Sequence, residues 1–350
     1  MALRPAAARP SVVDAAALAP ALAAVAPGVA LCAALALAAT LLSMATGVPA
    51  MLAVLLAGLG TRVVAPGFVA RVAAGINFSA STVLRFGIVL LGLRVVAGDI
   101  ATLGPSTIGL VLGSVAVTVG GGYLIARLFR QPADIAAVAA TSVAICGASA
   151  ALAASAVVPR RPAMERETLL IIIVVSLLST VVMLLYPAIA ALLDLSGSQT
   201  AVLLGAAIHD VAQVAGAGFS VSPEIGVAAV TVKMIRVACL LPVVATIGFL
   251  ACRGPAQCSG TGAPRQYLPP FLIGFFLLAL LASTGAVPAA VAGLGGQAAG
   301  WALTIAVAAL GLKTGFAELR AARPALVATL AVQTALQFSV VLALVLLVTA

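Results

Sequence analysis

The sequence predicts an all-α polytopic membrane protein of about ten or eleven membrane segments. Three observations predict it. Of 350 residues, 64% are hydrophobic and only 8% charged, with a mean hydropathy of +1.28. A soluble domain carries roughly a quarter charged residues, so lipid must be the solvent for most of this chain. Apolar runs of spanning length recur from residue 25 to the C-terminal end. Aromatic residues make up only 4% while Ala, Gly, Val and Leu dominate, which suits helices packed through small residues and not a β-barrel with aromatic girdles.

The elements follow in chain order. Residues 1–24 hold Arg4, Arg9, several prolines and Asp14, and read as a disordered cytoplasmic leader before a single transmembrane domain, 25–350. The stretch Val25–Met44 is long enough to span and too long for a signal-peptide core. Further runs lie at 48–65, 78–97, 105–126, 133–158, 164–186, 199–218, 223–249, 268–284, 298–317 and 324–349. At about 1.5 Å per residue each can cross a core of roughly 30 Å. Pro and Gly punctuate the boundaries, as at Gly47-Val48-Pro49, Pro66-Gly67, Gly104-Pro105, Ser222-Pro223, Pro269-Pro270 and Arg323-Pro324. No loop is long enough for a soluble domain.

Charge placement tests the topology. With the N-terminus inside and eleven crossings, inner loops collect Arg62, Arg71, Arg127, Arg130, Arg253, Arg265, Arg320 and Arg323, but Arg160, Arg161 and Arg166 fall outside. That breaks the positive-inside rule. If 133–158 and 199–218 are re-entrant hairpins, all loop cations fall inside. These two segments also resemble each other: Ala144-Ile145-Cys146-Gly147-Ala148-Ser149-Ala150 aligns without gaps on Ala207-Ile208-His209-Asp210-Val211-Ala212-Gln213. Paired broken elements in two chain halves point to a transporter binding site, although Ala-rich helices also align by chance. A second echo links Leu91-Gly92-Leu93-Arg94 to Leu310-Gly311-Leu312-Lys313, each followed by an acid, Asp99 or Glu318. The order of the two echoes differs, so an inverted-repeat transporter fold with broken or re-entrant helices is expected without a simple five-plus-five division.

Five cations, Arg85, Arg94, Lys233, Arg236 and Lys313, lie in or near the ends of spans, against one acid at comparable depth, Asp210. A charge at mid-bilayer costs about 2.5 kcal/mol or far more, so each needs a partner or a purpose. An anionic ligand is one such partner. Arg94 and Lys313 sit late in their helices, where snorkelling or pairing with Asp99 and Glu318 explains them equally well. Arg85 and Arg94 are nine residues apart and so face opposite sides of one helix. Lys233 and Arg236, spaced i,i+3 near the middle of a long apolar helix, are the pair that snorkels least easily, and pairing with Asp210 is their bland alternative. His209, the single histidine, stands beside Asp210, and this pair is the candidate for proton coupling. Cys146, Gly147 and Ser149 offer backbone N–H groups and a hydroxyl to an oxyanion, or simply pack as small residues. Gln213 adds a polar side chain to the same region.

The five cysteines show no metal spacing, and Cys252 and Cys258 lack a second ligand pair. No metal site, cofactor, hydrolase triad or nucleotide loop is expected, nor an enzyme. A basic charge without interleaved aromatics does not indicate nucleic acid.

Several stretches resemble the YeiH family of integral membrane proteins. They are Gly75-Ile76-Asn77-Phe78-Ser79, Leu84-Arg85-Phe86-Gly87-Ile88-Val89-Leu90-Leu91-Gly92-Leu93-Arg94, Ile145-Cys146-Gly147-Ala148-Ser149-Ala150, Ile208-His209-Asp210-Val211-Ala212-Gln213-Val214, Thr231-Val232-Lys233-Met234-Ile235-Arg236-Val237 and Gly311-Leu312-Lys313-Thr314-Gly315-Phe316. They run in family order over nearly the whole chain. Some members of that family are called sulfate exporters, and it is grouped with cation–proton antiporter and bile-acid-symporter-like folds. The resemblance implies a bacterial inner-membrane transporter of sulfate or a sulfonate, working by alternating access with spanning broken helices. The chain departs from the pattern at Val211, where a small hydroxyl residue is usual, so no role of that hydroxyl carries over. The expected partners are a small anion, the lipid bilayer and a coupling proton. The rival expectations are a cation–proton antiporter using Asp210, and a channel or sensor without a transport cycle.

Overall fold

The computed structural model describes residues 15–94, 97–159, 161, 163–251, 269–314 and 323–348. Asp99, Glu318, Arg160, Cys252 and Cys258 lie outside the described side chains. The described chain is helical throughout. The first helices are α1 (Ala15–Thr46), α2 (Ala50–Val64), α3 (Pro66–Arg71), α4 (Ala73–Phe78) and α5 (Leu84–Leu91), the last two joined by a π turn at Ser79–Val83. Then follow α6 (Ala97–Leu128), α7 (Ala133–Ala144), α8 (Ala148–Val157), α9 (Met164–Leu192), α10 (Gly197–Ala207) and α11 (Val211–Val221). The chain continues through α12 (Pro223–Ala238), α13 (Leu240–Ala251), α14 (Pro270–Ser283), α15 (Ala289–Lys313) and α16 (Pro324–Val348). Helix α1 begins at Ala15, within the stretch expected as a leader.

Among the described residues, seven helical stretches are long and apolar enough to cross a membrane: Ala23–Thr46, Ala73–Arg94, Gly104–Leu128, Met164–Leu192, Pro223–Ala251, Ala289–Lys313 and Pro324–Leu347. Their outward surface is apolar: Leu128, Leu192 and Leu347 are all at least 79% exposed. In water such a surface would aggregate, whereas in lipid it is solvated. The two shorter helices α2 and α14 also connect opposite faces. Pro49 and Leu52, at the start of α2, lie with Ser220 and Val221 at the end of α11. Helix α14 runs parallel to α5, with Gly274 against Val89 and Phe275 and Ala279 against Gly92.

The two ambiguous segments do not span. Asp134, at the start of α7, pairs with Arg161 just beyond the end of α8, and Arg161 also reaches Glu167 at the start of α9 at 2.8 Å. Arg323, before α16, lies 3.9 Å from the same Glu167. The α7–α8 element therefore enters and leaves by one face. At the other face, Gly197 of α10 packs against Ile225 of α12, and Gly218 of α11 packs against Gly226. The α10–α11 element enters and leaves there. These are re-entrant hairpins from opposite faces, as the charge rule requires and contrary to the spanning arrangement that the family resemblance implies. The first face collects Arg62, Arg71, Arg127, Arg130, Arg161, Arg166 and Arg323, while described charges at the second are Arg94, Asp194 and Glu224. Among the described residues the first is the basic face.

Local chemistry sets the hairpin ends. A capping box starts α10, with the Gln199 amide N–H donating to Ser196 Oγ (3.3 Å) and the Ser196 N–H to Gln199 Oε1 (2.9 Å). Ser222 accepts from the Ile225 amide at 3.2 Å and Pro223 opens α12. Arg161 holds the mouth of the other hairpin. Its hydrogen bond to Asp134, above all, keeps the guanidinium pKa above its ordinary value.

Candidate functional site

The two hairpins meet tip to tip halfway through the bundle. Gly147 lies against Val175, and the Asp210 amide donates to Ser179 Oγ at 3.3 Å; both contacts fall near the middle of α9. At each tip a helix ends, the chain turns, and a new helix starts. Ile145 (φ −121°, ψ −81°) ends α7 and Gly147 (φ 63°, ψ −116°) starts α8. The positive φ at Gly147 is one that only glycine adopts cheaply. The turn is closed by the Gly147 amide donating to Ser142 O (2.9 Å) and the Ser142 hydroxyl donating to Gly147 O (3.0 Å). At the other tip, Ile208 (ψ 141°) ends α10 and Asp210 (ψ 144°) caps α11, its side chain accepting from the Ala212 amide at 2.8 Å.

Two carbonyl-bearing helix ends facing each other need positive charge. Lys233 and Arg236 of α12 supply it, and both are fully buried. Lys233 Nζ donates to Ile145 O and to Ile208 O, at 2.7 Å each. Arg236 donates from Nε to Ala144 O (2.5 Å), from Nη2 to Val143 O (2.6 Å), and from Nη1 to Ala206 O (2.6 Å) and Ile208 O (3.0 Å). The gap-free alignment of the two tips sets Ile145 on Ile208, and the lysine bridges those two carbonyls. Extended one residue back, it sets Val143 on Ala206, the pair shared by the arginine fork. The sequence echo is thus a structural equivalence about one central helix.

This changes the charge balance expected from sequence. Two of the five deep cations have partners, and those partners are helix C-termini worth roughly half a negative charge each. Neither cation forms an ion pair with Asp210. Gly205 makes the approach possible: a Cβ there would lie 2.4 Å from Ala229 O.

The other predicted residues are placed as follows. His209 is fully buried, with Nδ1 3.2 Å from Val143 O and Nε2 3.0 Å from Thr334 Oγ1. Val143 O is an acceptor for a ring proton at Nδ1, and the contact at Nε2 ties the tip to α16, where the Thr334 hydroxyl also donates to Leu330 O at 2.8 Å. Asp210 is half-buried beside it. Cys146 is buried with Sγ 2.8 Å from Ser149 Oγ, and Ser149 is exposed at the start of α8. Gln213 is fully buried; its Nε2 donates to Thr180 Oγ1 (3.0 Å) and Ser176 O (3.2 Å), and its Oε1 has no partner among the described residues. Lys313 is exposed at the end of α15, within electrostatic reach of Asp210. Arg85 and Arg94 are not brought to the tips. Arg85 is exposed on α5, which packs against α14 and α15. Arg94 folds over Gly296 and lies near Glu224 at the non-basic face.

Sequence reasoning missed the supports on neighbouring helices: Ser176, Ser179 and Thr180 of α9, and Thr334 and Gln337 of α16. Gln337 Nε2 donates to Ala206 O at 2.9 Å. Polar residues recurring within otherwise apolar spans were the signal to follow, and single hydroxyls or amides in helices are too common to single out.

The fold and site define a class: a polytopic membrane protein with two oppositely oriented re-entrant hairpins joined at mid-depth by a buried cation pair. A model of the family described as "Conserved hypothetical protein 698" matches residues 27–330, and the chain belongs to that family, the YeiH or UPF0324 membrane proteins. It is 45% identical over 250 residues to the UPF0324 membrane protein TauZ of Paracoccus denitrificans, covering 71% of this chain and 74% of that one. It is 39% identical over 244 residues to UPF0324 membrane protein RB0971 of Rhizobium meliloti (70% and 71% covered). It is 37% identical over 250 residues to CT0845 of Chlorobaculum tepidum (71% and 70% covered). No solved structure matches the chain.

Proposed function

We propose that the protein is a secondary transporter of a small anion, with a sulfonate or sulfate as substrate, working by alternating access between the two hairpins. The observation that carries this reading is the meeting of two half-depth hairpins from opposite faces. Each brings a helix start to the middle of the bundle, and such sites are where transporters place substrates. The start of α8 is open: Gly147 has no side chain to cap it, its first-turn amides have no carbonyl partner, and the Ser149 hydroxyl is exposed beside them. The name TauZ carried by the Paracoccus relatives hints at a sulfonate-related role. By the positive-inside rule the basic face is cytoplasmic, which puts α1 entering from the cytoplasm of a bacterial inner membrane.

In this reading Lys233 and Arg236 hold the site together and do not face the substrate. Asp210, and not the doubly held His209, is the group positioned to exchange a coupling proton. The test is flux of labelled sulfate and small sulfonates in proteoliposomes, with sodium and proton flux as controls. Anion flux that falls at least tenfold in Ser149→Ala or Gly147→Ala supports the reading. Anion-independent sodium–proton exchange abolished by Asp210→Asn would instead establish the antiporter.

A further inference from the structure

The two helix starts at the crossing are equivalent by position and opposite in polarity. Gly147 occupies at α8 the place that Asp210 occupies at α11. The first start is a set of donors: the uncapped first-turn amides, with the Ser149 hydroxyl beside them, 2.8 Å from Cys146 Sγ. The second is a set of acceptors. Asp210 uses Oδ1 on the Ala212 amide, and its other oxygen has no hydrogen bond or ion pair with any described residue. One turn further on, Gln213 presents an Oε1 that is buried and unpartnered. The orientation of that amide is fixed. Thr180 gives its hydroxyl proton to Ser176 O at 3.0 Å, so both atoms facing Nε2 are acceptors and the carbonyl end must be the free one.

A buried acceptor without a donor costs about 1–3 kcal/mol, and at this place it sits beside a half-buried carboxylate on one helix face, three residues apart. Together they ask for a donor that carries charge. The donor and acceptor sets adjoin. Ser176, which holds the Gln213 amide, follows Val175, which lies against Gly147. Lys233 links the carbonyls of both tips through one nitrogen, and Cys146 lies within electrostatic reach of Asp210.

We propose that the crossing binds a small zwitterion, its oxyanion head on the open start of α8 and its ammonium on Asp210 and Gln213; an amino-sulfonate is the class that fits. This rests on the transporter reading above and narrows its substrate. Charge balance favours a tethered ammonium over a free alkali cation. Lys233 and Arg236, directly behind the tips, are countered by two helix C-termini and by Asp210, while the two helix starts and Lys313 add positive charge, so the crossing has no spare negative charge for a free cation. A zwitterion keeps that balance, whereas a free cation adds an uncompensated charge beside two buried ones.

The experiment uses the full chain in proteoliposomes and compares 2-aminoethanesulfonate, its N-trimethyl analogue, 2-hydroxyethanesulfonate and sulfate as substrates and competitors. The amino-sulfonate is expected to compete at least tenfold better than the hydroxy- and trimethyl-sulfonates. Asp210→Asn, which keeps an effective helix cap, is expected to reduce that preference at least tenfold. Equal competition by amino- and hydroxy-sulfonate in the wild-type protein overturns the proposal on its own, even if the variant does not fold. So does a preference unmoved in a folded Asp210→Asn, including the case where that variant loses only a sodium dependence. If neither sulfonates nor sulfate move, the transporter reading fails instead.

Discussion

Arg236 offers the sharpest perturbation. In Arg236→Met the side chain keeps much of its volume but loses all four hydrogen bonds to the hairpin ends. Ala144 O is left bare. Val143 O keeps only the 3.2 Å contact to His209, Ala206 O keeps Gln337, and Ile208 O keeps Lys233. A bare buried carbonyl costs about 1–3 kcal/mol, and removing one side of a buried charged arrangement typically costs about 3–5 kcal/mol in total. With an unfolding entropy of about 2.1 cal/mol/K per residue, each kcal/mol is worth roughly 1.4 °C for 350 residues, and thermal unfolding in detergent should fall by about 5 °C. Arg236→Lys retains the charge with fewer donors and no fork, and should lose about half as much. If Arg236→Met unfolds at the wild-type temperature yet binds or moves no anion, the guanidinium serves the substrate and not the hairpin ends. That result would refute the structural role assigned to both buried cations.

Two further outcomes are expected. Single cysteines at Arg130 and Arg166, in a background without native cysteines, should both react with an impermeant thiol reagent from the same side. One at Asp194 should react from the other; labelling of positions 130 and 166 from opposite sides would mean that 133–158 spans. Gly147→Val places a β-branched residue at φ 63° and should cost about 1–3 kcal/mol, read as a lower unfolding temperature. Gly67→Ala, where a Cβ meets nothing within 4 Å, should have no such effect.

Much of the fold was legible because lipid imposes length and composition on every span. Boundaries failed where apolar content and helix ends diverge. The run expected at 298–317 is α15 at Ala289–Lys313, because the Gly- and Gln-containing stretch before Trp301 reads as loop yet packs as helix, with Gly295 under Leu93 and Gly296 under Arg94. The two hairpins were visible as broken segments, and the arginines at 160, 161 and 166 already argued for their turning back. The fold analogy pulled the other way, because it takes for granted that a broken helix continues across. For the site, the echo between residues 144–150 and 207–213 located both tips. What the residue types could not show was the partner of Lys233 and Arg236. Backbone carbonyls carry no letter in a sequence, so cations satisfied by helix ends look like cations awaiting an anion. That Arg85 lies away from the tips was not legible for a related reason: depth along a helix is readable from position, but the face it turns to a neighbour is not.

The placement of Lys233 and Arg236 has a mechanical corollary. Both hairpins hang from one short stretch of α12, so neither can withdraw without pulling on the bonds that hold the other. A hairpin that swings toward its own face either drags its opposite number along or leaves a guanidinium and an ammonium half-stripped in lipid surroundings. Shared suspension of this kind discourages both hairpins from withdrawing together, and the cost of such a state rises with the very bonds that stabilise the core.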